Sequence, residues 1–111
     1  MIEVKLYKRN NNYFGFESKG HADFGNGEYD IVCAAVSILT QTFYFNLVDN
    51  SIVENKYIDS KQDKGYLKII LKDNKENDIK VQTNFDFVIK GLELLEAQFS
   101  KYIKLEIVEV Q

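Results

Sequence analysis

Residues 31–39, Ile-Val-Cys-Ala-Ala-Val-Ser-Ile-Leu, are apolar at every position but Ser37, and they open a segment that runs to about residue 48 without a charged side chain. A stretch this long exceeds an ordinary strand, and its alanines favour a helix. We therefore read a helix from Asp30 to about residue 48, ended by the turn-forming pair Asp49-Asn50. Its apolar residues do not fall in a single stripe, so it is expected to be buried on more than one side. The rest of the chain has to supply the surfaces that cover it.

Those surfaces are legible as strands and a second helix. Ile2, Val4 and Leu6 alternate with Glu3, Lys5 and Tyr7, the period of a strand with one buried face. Asn10-Asn11-Asn12 turns the chain, since Asn tolerates the left-handed region. A second strand then places Phe14, Phe16 and Ser18 on one face and Glu17, Lys19 and His21 on the other. Residues 52–58 and 66–71 read as two further strands joined by a polar connector at 59–65. A charged turn at 73–78 and a short extended piece at 79–82 precede a second helix, capped by Thr83 or Asn84. Its apolar residues Phe85, Val88, Leu92, Leu95, Phe99 and Tyr102 recur three and four apart, and Gly91 among them permits close packing. Ile103, Leu105 and Ile107 give a last strand. The expectation is one α+β domain over residues 1–111, in the order β-β-α-β-β-α-β, with a mostly antiparallel sheet covered by two helices.

Composition narrows the chemistry. The chain has one cysteine and one histidine, so no internal disulfide forms and the four ligands of a structural zinc site are not supplied by such residues; no metal or cofactor is expected. A net charge of -3 argues against direct nucleic-acid binding. No stretch is read as the apolar run of about 20 residues that a membrane span needs, and Met1 to Leu6 reads as a strand and not as a leader, which places the chain in the cytoplasm.

The lone histidine and the lone cysteine lie 33 − 21 = 12 positions apart, at the two ends of one short stretch. With Asp30 as N-cap, Cys33 is the third helical residue, within reach of free N–H groups and the positive end of the helix dipole. A thiol there is either core packing or, with His21 to take its proton, a nucleophile. Asp30 either caps the helix or orients His21. As a neighbour of Cys33 its charge opposes thiolate formation unless His21 is charged nearby. Ser37, one turn on from Cys33, either bonds back to the Cys33 carbonyl or donates to a substrate, and Thr40, Gln41 and Tyr44 continue near that face. Gly25 and Gly27 bracket a turn or a substrate-admitting loop, and Phe24 and Tyr29 beside them serve as an apolar substrate wall or as core. The backbone N–H groups of Cys33 and Ala34 are candidate oxyanion donors.

Gly20-His21-Ala22, Gly27 and Asp30-Ile31-Val32-Cys33-Ala34-Ala35-Val36-Ser37 together resemble the motif of the ribosomal-processing cysteine protease family, Prp. The resemblance extends along the chain, although a Tyr-Pro type sequence expected near Phe99-Ser100-Lys101-Tyr102 is not there, since the chain has no proline. It implies a catalytic pair of His21 and Cys33, with Asp30 and Ser37 in support. It also implies a narrow peptidase that removes an N-terminal extension from the large-subunit ribosomal protein numbered twenty-seven, so that the partner is a ribosomal N-terminal peptide. A homodimer is implied as well, in keeping with the apolar faces of the first helix. Two rival readings stand beside it: a non-enzymatic ribosome-assembly or peptide-binding module, and a thiol redox sensor.

Overall fold

The computed structural model describes residues 1–20 and 27–111. Strands β1 (Ile2–Arg9) and β2 (Asn12–Lys19) form an antiparallel hairpin turned by Asn10 and Asn11, both with positive φ. Helix α1 spans Gly27–Asp49, followed by β3 (Ile58–Asp63), β4 (Tyr66–Leu71), helix α2 (Ile79–Gln98) and β5 (Ile103–Glu109). The five strands make one sheet in the order β3-β4-β2-β1-β5. Three of its pairings are antiparallel, and β5 joins β1 in parallel. This is the α+β architecture expected, with a mostly antiparallel sheet.

The core lies between the sheet and the helices. Ile2, Val4 and Leu6 of β1, Phe16 of β2 and Ile69 and Leu71 of β4 face Val32, Val36, Phe43 and Leu47 of α1 and Val81, Phe85, Val88 and Leu92 of α2. Phe43 ties the layers, with its ring 5.4 Å from that of Phe16 and 4.6 Å from that of Phe85. The helices approach closely at Gly91, where a Cβ would stand 2.9 Å from Leu39 Cδ2. That is the packing role read for this glycine.

Three boundaries differ from the sequence reading. Residues 59–63, read as connector, form most of β3; as an edge strand with only Ile58 buried, β3 shows no apolar alternation. The segment before it, read as strand, wraps the end of α1 instead, with the Ile52 and Val53 N–H groups donating to the Leu47 carbonyl. Helix α2 begins at Ile79 because Asp78 is its N-cap, accepting from Lys80 N–H at 2.7 Å. Thr83 and Asn84, expected as caps, bond back to the Ile79 and Lys80 carbonyls inside the helix, whereas Phe99 is the C-cap and Tyr102 lies beyond it.

Helix α1 also corrects two expectations. By length and composition it is long and apolar enough to cross a membrane. That composition has a reason within the fold, because Val32, Val36, Thr40, Phe43 and Leu47 are the side chains on which the sheet and α2 pack. Nor is the helix buried on several sides in the chain by itself. A second stripe, Ile31, Ile38 and Phe45, stands at 58%, 63% and 55% exposure.

Candidate active site

The groove that contains Cys33 is built from three elements. The end of β2 supplies Ser18 and Gly20, α1 supplies Cys33, Ser37, Thr40 and Gln41, and the β3–β4 turn supplies the opposite rim from Gln62 to Leu67; the enclosed volume is about 250 Å³. Gly20 is required where it is, since a Cβ there would stand 2.8 Å from Ile2 Cα. Its N–H donates to the Gly65 carbonyl at 2.9 Å and so fixes the end of β2 to the turn. The turn itself is a two-residue Lys64-Gly65 loop in which Gly65, at φ 70°, takes the left-handed conformation that glycine tolerates. Tyr66 on this rim donates its hydroxyl to Glu17 Oε2 at 2.6 Å, and that bond pushes the phenol up to about 12.

Cys33 is half-buried and packs partly against the core while opening into the groove. Burial pushes its thiol up, and the Asp30 carboxylate adds to the rise, while the Met1 ammonium pulls the other way. Among the described residues, burial and Asp30 thus favour the neutral thiol over the thiolate. Helix α1 starts at Gly27, which makes Cys33 its seventh residue (33 − 27 + 1) and not its third. At that depth the N–H groups of Cys33 and Ala34 bond to carbonyls four residues back, so they are not the free donors that the oxyanion reading needs.

Asp30 is likewise inside the first turn and exposed, not an N-cap. Gly27 and Tyr29, expected in a substrate loop, open the helix instead. Tyr29 is buried with its ring edge-on to Tyr102 at 5.7 Å, which is a core position. Ser37 is exposed in the groove wall beside Gln41, and Gln41 Nε2 donates to its Oγ at 2.8 Å. Thr40 donates its hydroxyl to the Val36 carbonyl at 2.8 Å. His21, Phe24 and Gly25 lie outside the described residues, and Gly20 on the groove wall is the residue before His21. Among the described residues no three His, Cys, Asp or Glu side chains converge as metal ligands. The rim from Gln62 to Leu67 was missed in the sequence, although Lys64-Gly65 followed by an alternating apolar run is a hairpin signal.

The model of the family described as cysteine protease Prp matches residues 1–104. The chain belongs to the Prp family. Membership makes it a cysteine protease and displaces the non-catalytic module and the redox sensor as readings. The Prp fold also agrees with solved structures. SMU.848 from Streptococcus mutans is 29% identical, with a TM-score of 0.82 and 99% of each chain covered. The ribosomal processing protease Prp from S. aureus with a covalently linked product peptide gives 23% identity and a TM-score of 0.78, and the same protease with a substrate peptide gives 22% and 0.80. Both alignments cover 97% of this chain and 100% of the other. No curated protein sequence matches the chain.

Proposed function

We propose that this protein is a ribosomal-processing endopeptidase that removes the N-terminal extension of large-subunit ribosomal protein twenty-seven, with Cys33 as nucleophile and His21 as its base. Cys33 Sγ attacks the scissile carbonyl carbon while His21 takes the thiol proton. As the C–N bond breaks, His21 returns that proton to the leaving amine and a thioester to Cys33 remains. Water then attacks the thioester carbonyl, releasing the carboxylate and restoring the thiol.

The observation that carries the reading is that Cys33 opens at one end of a long cleft. A second cavity of about 240 Å³ shares Thr40, Gln41, Gln62 and Leu67 with the first and continues to Tyr44 and Phe45. From Cys33 to Tyr44 the helix rises about 16 Å at 1.5 Å per residue, the reach of about five extended peptide residues. A cleft of that length suits a peptide better than a small metabolite. The peptide complexes of the S. aureus relative support the same substrate class and its link to ribosomal processing.

The outer stripe of α1 supports a homodimer. Ile31, Ile38 and Phe45 repeat every seven residues, and Phe87 and Leu94 of α2 repeat likewise and are also exposed. Uncharged, heptad-spaced faces of this kind pack on like faces. Incubation with synthetic N-terminal peptides of the host's large-subunit ribosomal proteins, read by mass spectrometry, tests the function. One defined cut in the protein-twenty-seven peptide is expected; absence of any cut, or cutting of every peptide alike, would overturn it.

A further inference from the structure

Cys33, Ser37 and Gln41 are spaced four residues apart on α1, so their side chains stand one turn above another on the face that lines the groove. A serine inside a helix ordinarily donates its proton to the carbonyl four residues back. Ser37 does not follow that pattern: among the described residues its hydroxyl is bonded to Gln41, whose Nε2 donates to Ser37 Oγ at 2.8 Å. An N–H on the oxygen occupies a lone pair and leaves the O–H to donate elsewhere. Thr40, on the same wall, offers no such proton because it is spent on the Val36 carbonyl. The N–H groups of Cys33 and Ala34 are committed within the helix, so among the described residues the donors that this wall of the groove offers to a carbonyl oxygen beside Cys33 are side chains.

We propose that Gln41 is a positioning residue for peptide hydrolysis: its side-chain N–H holds Ser37 so that the serine proton points at the carbonyl oxygen that Cys33 attacks. The inference rests on the reading of Cys33 as nucleophile. In the ground state that bond is an ordinary one between neutral groups. As the carbonyl becomes tetrahedral its oxygen gains charge, and the bond from Ser37 strengthens. The Gln41 N–H, polarising the hydroxyl from behind, strengthens it further. The contribution therefore appears in kcat and not in substrate binding.

Four variants test this in the peptide-cleavage assay, each checked for an unchanged unfolding midpoint. Gln41→Leu is expected to lower kcat about 10-fold with KM unchanged, the worth of one hydrogen bond made in the transition state. Gln41→Glu inverts the bond above the carboxyl pKa, because a carboxylate accepts the Ser37 proton instead of donating to its oxygen. Its rate relative to wild type should rise as pH falls toward the carboxylate range of about 4–5, where the protonated acid donates again. Ser37→Ala should lower kcat as well, and adding Gln41→Leu to it should cost nothing more. Full kcat in Gln41→Leu, a flat pH ratio for Gln41→Glu, or losses that multiply in the double variant would overturn the proposal while leaving the peptidase reading intact. Cys33→Ala run beside them separates the two, since undiminished cleavage by that variant would overturn both.

Discussion

The inner and outer faces of α1 are equally apolar and have opposite surroundings. Val32, Val36, Phe43 and Leu47 are sealed between the sheet and α2, whereas Ile31, Ile38 and Phe45 stand in the open. A third face, with Cys33, Ser37 and Gln41, is small and polar and lines the groove. One helix thus serves as core, as exposed apolar surface and as site wall. Apolarity alone indicates that a face will be covered, but not by what; that is set by the partners that the topology brings to it. Here β4, β2 and β1 lie under the inner face, and among the described residues nothing of the same chain covers Ile31, Ile38 and Phe45 on the outer one.

Substitutions on the three faces sharpen the contrast. Phe43→Ala removes a ring that touches Phe16 and Phe85, and should cost about 3–5 kcal/mol in a urea or thermal unfolding experiment. Ile38→Asp, five residues away on the outer stripe, should leave the stability of the separated chain within about 0.5 kcal/mol. Its effect belongs to the proposed association: sedimentation is expected to show a dimer for the wild type and a monomer for the variant, and an unchanged oligomeric state would remove the outer stripe from any interface. The smallest change is beside the groove face, one turn before Cys33. Asp30→Asn deletes a charge that raises the Cys33 thiol, so the thiol pKa falls and alkylation by iodoacetamide should set in at lower pH than in wild type. Unshifted onset would mean that Asp30 does not act on the thiol.

The sequence was most legible where one face met one partner. Ile2, Val4 and Leu6 alternate because β1 is central and half-covered, and Phe85, Val88 and Leu92 repeat because α2 lies on the sheet along one side. It was least legible at the margin. β3 carries Asp59, Ser60, Lys61 and Gln62 at the sheet edge, where burial imposes no pattern, and so it read as a connector. The first helical residue was read four positions late, at Ile31 and not Gly27, because Asp30 is a good capping type. That shift moved Cys33 from the helix end to its interior, which takes away the free N–H groups and helix-end dipole argued for it and leaves the proposed nucleophile to rely on its base. The family motif pointed to Cys33, Ser37 and Asp30, and helical spacing put Gln41 near the same face, but the Gln41–Ser37 bond and the Lys64-Gly65 rim enter the site only through the fold. Their part depends on which turn of the chain faces which.

The account depends on Cys33 forming a bond to substrate in the groove. Rapid acid quench of the protein with its peptide substrate, followed by intact-mass and fragment analysis, tests this directly. An acyl adduct with the mass of the N-terminal product less one water, mapped to Cys33 and absent from a Cys33→Ala variant that no longer cleaves, is the predicted result. Cleavage by Cys33→Ala at the wild-type rate would contradict it.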